Sequence, residues 1–256
     1  MKHGTNKRRK IAWGIGVPVL VLVLLLIVCT IYLETYYRAD TDAIEASFPA
    51  KRGISEQTLD NGDMIFSRPR AKVGLIFYPG GKVEHTAYVP LMRELAASGV
   101  NCVLCRMPFR LAVFDLHAAD AARDACPDVE RWYIGGHSLG GVIAASELKA
   151  HPGVYEGLIL LGSYATENLS AEPIRALSIY GSEDRVLNLK KYDQSRGNLP
   201  NDLTEFIIDG GCHAQFGMYG AQDGDGTPAI TNEEQIRITA TEILNWLNGG
   251  AYAENS

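Results

Sequence analysis

The chain has 256 residues, 46% of them hydrophobic, and its 30 acidic against 24 basic side chains give a net charge of −6. No repeat or low-complexity tract interrupts it, and the length suits one domain behind a short leader. The acidic balance argues against a nucleic-acid partner and against tight docking on an anionic membrane surface.

The first ten residues are a basic leader ending in Lys7-Arg8-Arg9-Lys10, and residues 11–33 are almost wholly apolar, with no charge until Glu34. Such a run is about long enough to cross a hydrocarbon core of roughly 30 Å as a helix. Trp13 near one end, with Tyr32, Tyr36 and Tyr37 at the other, suits the two interfaces. A cleaved signal peptide would have a shorter apolar core and a small-residue cleavage site. The expectation is therefore an uncleaved single-pass anchor at the cell membrane, its basic end cytoplasmic and everything after it extracytoplasmic. Setting aside the five basic residues of the leader leaves 19 basic against 30 acidic side chains, a net −11 for that remainder.

Residues 34–53 read as a polar, partly helical stalk, and the main domain is expected over 54–256. One or two leading strands fit 54–70, around the turn Asp60-Asn61-Gly62-Asp63. An apolar strand over 73–78 runs into Pro79-Gly80-Gly81-Lys82. Pro79 has no N–H to offer, and the paired glycines allow a close backbone approach. A helix is expected over 87–98, a buried strand over 101–107 and a further helix over 112–125. Cys102 and Cys105 have the spacing of a redox or zinc pair. Within a strand, however, side chains three apart face opposite ways, so both are read as core.

Residues 131–135 form another apolar strand, followed at once by Gly136-His137-Ser138-Leu139-Gly140 and a helical pattern through Leu148. In a strand–turn–helix context this G-x-S-x-G box is a nucleophile elbow. The tight turn strains the serine and stands its hydroxyl at the carboxyl edge of a sheet. A serine is a weak nucleophile alone and needs a base with an orienting acid. A buried strand over 157–163 is followed, after a short link, by one over 174–180, which breaks at Gly181-Ser182-Glu183-Asp184. A strand over 203–208 ends at Asp209-Gly210-Gly211-Cys212-His213. Asp184 and His213 thus fall in loops at the same sheet edge, in the chain order serine, acid, histidine. Glu183 and Asp209 are weaker competitors for the acid, and His85 is a histidine near a strand end but too early in the chain. The backbone N–H of Leu139 and that of Gly81, with Lys82 as the alternative, are the expected oxyanion donors. Lys82 and Glu84 are candidate substrate contacts. A structured loop is expected at Gln222-Asp223-Gly224-Asp225-Gly226, which lacks the spacing of a calcium site. The last helix opens on a capping box, Thr231 with Glu234, and carries Ile236, Ala240, Ile243 and Leu247 on one face. Cys126 and Cys212 are left either free or joined as a disulfide.

Alternating strands and helices in this order describe an α/β fold, a mostly parallel sheet covered on both faces. Over roughly residues 63–248 the chain resembles the α/β-hydrolase superfamily, in particular the compact bacterial group called alpha/beta hydrolase fold-5. The resemblance rests on Tyr78-Pro79-Gly80-Gly81-Lys82-Val83-Glu84, Gly135-Gly136-His137-Ser138-Leu139-Gly140-Gly141, Tyr180-Gly181-Ser182-Glu183-Asp184 and Cys212-His213-Ala214-Gln215-Phe216-Gly217 with Tyr219-Gly220. It implies a Ser-Asp-His hydrolase of an ester-like bond that works without a cofactor; the residues themselves give no metal site to expect. A departure is Pro79, where many lipases and esterases carry the histidine of a His-Gly pair. The short link between the strands at 157–163 and 174–180 predicts an open cleft without a large lid.

The expected activity is that of a carboxylesterase-like serine hydrolase, membrane-anchored and acting on a small-molecule ester. An acyltransferase, a perhydrolase or a small-amide hydrolase would use the same three residues. A partner-binding domain without catalysis is the reading from another functional class.

Overall fold

The structure, a computed structural model, describes residues 5–115 and 118–249. Residues 1–4 of the leader, His117 within the expected helix, and the C-terminal end of the expected domain lie outside the described residues. Contacts within the chain separate two units, Met1–Tyr36 and Tyr37–Ser256. In the first, helix α1 (Thr5–Glu34) contains the stretch Val17–Glu34, long and apolar enough to cross a membrane. Eighteen residues at 1.5 Å each cover about 27 Å, and Leu20, Leu25 and Ile31 along it are exposed. That length and composition fit a membrane anchor or a signal sequence.

The second unit is built on eight strands: β1 (Ser55–Thr58), β2 (Met64–Ser67), β3 (Val73–Tyr78), β4 (Val100–Leu104), β5 (Arg131–His137), β6 (Tyr155–Leu161), β7 (Arg175–Gly181) and β8 (Asp202–Ile208). They form one sheet in the order β1-β2-β4-β3-β5-β6-β7-β8. The hairpin β1–β2 adds antiparallel to β4, and the six strands from β4 to β8 are parallel. β3, β4 and β6 are apolar almost throughout because helices cover both faces of a parallel sheet. Helix α2 (Thr41–Ser47) precedes β1, α3 (Val89–Ala97), α4 (Ala118–Asp124), α5 (Leu139–Ala150) and α6 (Leu189–Ser195) run between strands, and α7 (Asn232–Leu247) follows β8. Thr231 caps α7 by accepting the Glu234 N–H at 3.1 Å, and Ile236, Ala240 and Ile243 are buried.

Alternation along the strands sorts the core into two layers. Leu75, Phe77, Tyr133 and Ile159 pack with Leu91, Leu95, Ile243 and Trp246 on one face. Ile76, Val103, Ile134 and Leu158 pack with Ala119, Ala144 and Leu148 on the other. Cys102 lies in the first layer and Cys105 in the second, the opposite facing expected of them. Cys126 and Cys212 are likewise divided between the layers, and each is a free thiol.

Two expectations need correction. The segment 34–53 is no stalk from Tyr37 onward, because it belongs to the globular unit. Tyr37 N–H donates to Lys82 C=O at 2.8 Å, Asp40 N–H to Met218 C=O at 2.9 Å, and Ile44 and Phe48 are buried in the first core layer. The short helix α2 looks polar in sequence only because one of its faces carries the few apolar anchors. Nor is 112–125 one helix. A 3-10 turn, Ala112–Phe114, is followed by Asp115 at φ −143 and ψ 86, outside helical geometry, before α4 begins.

Parallel register brings the strand ends into line. Tyr78 pairs with Gly136, His137 with Leu161, Leu161 with Ile179, and Gly181 with Ile208. The loops after β3, β5, β6, β7 and β8 therefore open along a single edge.

Candidate active site

Ser138 stands between β5 and α5 with φ 52 and ψ −122, a left-handed geometry that L side chains rarely adopt. The strain is held from three sides. Ser138 N–H donates to Leu161 C=O at 2.9 Å, and Ser163 Oγ donates to Ser138 C=O at 2.7 Å. Glycines supply the third restraint. A Cβ on Gly140 would lie 2.2 Å from the Tyr78 carbonyl oxygen, and one on Gly136 would lie 2.5 Å from the carbonyl carbon of Gly140. No side chain fits at either place, so the box is glycine at both ends for close approach.

Asp184 and His213 meet across the loops after β7 and β8. His213 Nδ1 lies 2.8 Å from Asp184 Oδ2, and both side chains are buried. The other carboxylate oxygen, Oδ1, accepts the N–H groups of Val186 at 2.9 Å and Leu187 at 2.7 Å. The carboxylate is thereby fixed before any substrate arrives. Glu183 is turned away, its carboxylate 3.5 Å from Arg185. His213 Nε2 is buried and has no hydrogen-bond partner among the described residues. A cavity of about 230 Å³ is lined by Ser138, Leu139 and His213, with Tyr164, Val186, Leu187 and Asn188 along its wall. No other described histidine lines it.

The loop after β3 has one N–H to spare. Gly80 donates to Tyr88 Oη at 3.0 Å, and Lys82 donates to Arg110 C=O at 2.8 Å. That removes Lys82 as an alternative oxyanion donor. Gly81 N–H has no partner among the described residues, and a Cβ on Gly81 would lie 3.0 Å from Leu139 Cδ2. Gly81 and Leu139, whose N–H groups are expected to share an oxyanion, are thus neighbouring residues. Leu139 opens α5, where the helix dipole also favours negative charge. Glu84, a candidate substrate contact, instead accepts Ala39 N–H at 3.0 Å and fastens the segment after Tyr37.

Two contributions were not read from sequence. Tyr88 Oη, which accepts the Gly80 N–H, is also hydrogen-bonded to His137 Nδ1 at 2.8 Å. The His137 ring centroid lies 4.4 Å from that of His213. Burial, and then the neighbouring His213, hold the pKa of His137 well below its ordinary value, which keeps this ring neutral. The second is Asp225, in the loop expected only to be structured. Its carboxylate accepts N–H groups from Ala214 at 2.8 Å, Gly226 at 2.8 Å, His213 at 3.2 Å and Arg185 at 3.3 Å. It thereby joins the loop of the acid to the loop of the histidine. The signal lay in an acid set between glycines, yet its partners lie in distant loops.

Burial alone would raise the Asp225 pKa, but these backbone donors outweigh it and leave the group below its ordinary 3.8. A depressed folded value stabilises the protein above that ordinary value, and the stabilisation is lost as pH falls through the folded one. Asp225→Asn is accordingly expected to lower Tm by roughly 3–6 °C at pH 7. The gap to wild type should narrow toward pH 3. Thermal unfolding at both pH values tests this, and an equal gap at both would rule out the charge as its source.

Burial, with Asp225 close by, pushes the Cys212 thiol up to about 12, so it stays protonated at neutral pH and packs. Among the described residues, a grouping of metal-ligand types occurs at Asp120, Glu147 and His151. Arg123 pairs with Asp120 and lies 3.7 Å from Glu147, already supplying the positive charge that a cation would bring.

The family model of the alpha/beta hydrolase family matches residues 74–237. No curated protein matches the chain. Among solved structures it is similar to a dienelactone hydrolase from Anabaena variabilis, at 11% identity and a TM-score of 0.57, over 76% of this chain and 99% of that one. A structure described as a predicted CIB-like hydrolase from Thermoplasma acidophilum gives 18% identity and a TM-score of 0.54, over 75% and 98%. Est1E from Butyrivibrio proteoclasticus gives 13% and 0.53, over 77% and 99%. At such identities the likeness concerns the fold.

Proposed function

From the chain's membership of the alpha/beta hydrolase family, we propose that it is a serine hydrolase of carboxylic esters, held at a membrane by α1. Ser138 is the nucleophile, His213 the general base and then acid, and Asp184 the group that holds the histidine. The observation that carries the reading is the pairing of His213 Nδ1 with Asp184 while Nε2 stays unpartnered beside the cavity that Ser138 also lines. With Asp184 accepting from Nδ1–H, the neutral ring keeps its lone pair on Nε2.

In this mechanism Nε2 takes the Ser138 proton as Oγ attacks the acyl carbon. The carbonyl π electrons move to the oxygen, which becomes an oxyanion received by the N–H groups of Gly81 and Leu139. Collapse breaks the bond to the alcohol, which leaves with the proton from Nε2. Water, deprotonated by the same nitrogen, then attacks the acyl-enzyme and releases the acid. Every step uses protein groups and water, so the reading calls for no cofactor.

For the N-terminal unit we propose an uncleaved anchor, its basic end cytoplasmic and the second unit extracytoplasmic. The apolar length of Val17–Glu34 and the basic residues before it support this. The acidic remainder fits a small uncharged ester better than a nucleic acid.

A fluorophosphonate probe applied to the full chain in lipid nanodiscs tests the proposal. It should label Ser138 alone, as located by mass spectrometry, and should not label a Ser138→Ala protein. A folded wild type that takes no label would overturn the catalytic reading.

A further inference from the structure

The segment after β4 has no part in the chemistry above, yet it is the strained flank of the site. Phe109 and Arg110 are consecutive non-glycine residues with positive φ, 52 and 60. Such strain persists only where the surroundings hold it. Here Arg110 N–H donates to Met107 C=O at 2.9 Å, Leu111 N–H to Pro108 C=O at 3.0 Å, and Phe114 N–H to Leu111 C=O at 3.1 Å. Arg110 C=O receives the Lys82 N–H, and Ala112 is buried in the core. A turn fixed this firmly presents Phe109 and Phe114 to solvent at 52% and 57% exposure, their rings edge to face with centroids 5.7 Å apart. Val113 between them is also exposed.

Sheet order says which part of a substrate meets this surface. Ser138 follows β5, while Asp184 and His213 follow β7 and β8 on one side of it. The loops after β3 and β4 lie on the other side. A leaving alcohol must be within reach of His213, which protonates it, and so belongs on the side of the cavity with Val186 and Leu187. The acyl chain leaves the same carbonyl carbon in another direction, past the oxyanion donors. There Leu111 Cδ2 lies 3.6 Å from where a Gly81 Cβ would be, and Leu139 Cδ2 lies 3.0 Å from that point. Both leucines are half-buried. Gly81 therefore adjoins two leucine side chains, one of them carried by the turn that bears the exposed phenylalanines.

We infer that Leu111, Phe109 and Phe114 form an acyl subsite, and that the substrate is an ester of a medium-length apolar acid. The inference rests on the serine-hydrolase reading above. An acetyl group would end near Gly81 and gain nothing from the phenylalanines. A chain of about eight carbons would cover Leu111 and remove apolar surface of both rings from water.

The test compares p-nitrophenyl acetate with p-nitrophenyl octanoate, using the full chain in nanodiscs and a Phe109→Ser/Phe114→Ser variant. Both side chains are exposed, and thermal unfolding checks that the variant folds. The ratio of kcat/KM for octanoate over acetate is expected to fall at least tenfold. An unchanged ratio, with the wild type still labelled by fluorophosphonate, would overturn the subsite and leave the catalytic reading intact. If in addition brominated lipid quenched a Phe114→Trp protein more than wild type, the patch would be a bilayer contact instead. A wild type that neither takes the label nor hydrolyses either ester would overturn both proposals.

Discussion

Replacing Ser138 by alanine is expected to lower kcat on any ester by about 10⁴- to 10⁶-fold while leaving the fold intact. The magnitude follows from what remains. The variant keeps the two N–H donors and the cavity, which can still polarise a bound carbonyl, but it has no atom to form the acyl-enzyme. The fold should not suffer, because Ser138 Oγ makes no hydrogen bond among the described residues and the strained backbone is held by Leu161, Ser163 and the flanking glycines. Alanine at a positive φ keeps about the same strain as serine. The measurement is kcat beside a thermal melt. Activity retained within tenfold would mean that another group attacks the ester, and the elbow would then be architecture without chemistry.

Asp184→Asn should cost roughly 10³- to 10⁴-fold in kcat, by a different route. Asp184 Oδ1 already accepts two backbone N–H groups, from Val186 and Leu187. An asparagine keeps those bonds only if its carbonyl oxygen takes the Oδ1 place, which turns its NH₂ toward His213 Nδ1. Nδ1 must then accept, and the proton moves to Nε2, the atom that has to take the serine proton. The ring would stand in place with the wrong tautomer. Turning the amide the other way would set its NH₂ against two N–H donors, a worse arrangement in a buried site. The expected result is a nearly unchanged melt with activity reduced at every pH from 6 to 9. Full activity would show that Asp184 does not orient the base.

How much of this was legible in the chain depends on how local each cue is. The elbow carries its whole signature within five residues, because tight strand–turn–helix packing forces glycine at both ends. The runs that became β3, β5, β6 and β7 are apolar because both faces are covered, and their order fixed the α/β class. Asp184 and His213 could be proposed since each lies in a loop just after an expected strand, and chain order separated them from rivals. What escaped depends on contacts between distant residues. Asp225 gathers N–H groups from two other stretches of chain as well as from its own neighbour Gly226, and Tyr88 reaches Gly80 and His137 from a 3-10 turn. Neither has a pattern of its own. The segment after Tyr37 looked like a tether because its anchors are few and its remainder polar. The alanine-rich stretch 112–125 favoured one helix by propensity, yet the chain instead forms a 3-10 turn with Ala112 buried and Val113 and Phe114 exposed.

If α1 anchors the chain as proposed, the attachment of Tyr37 sets a limit on how the second unit can be released from a membrane. Tyr37 N–H and C=O both pair with the loop that carries Gly81, to Lys82 and Glu84, and its hydroxyl accepts the Asp223 N–H beside the Asp225 loop. A protease that cuts before Tyr37 would shed an intact domain. A cut only a few residues later would unfasten the first stitch of both loops and shed a loosened one. Liberation and inactivation are thus separated by very few peptide bonds, and the exact position of a cleavage, more than whether it occurs, would decide whether a free form works.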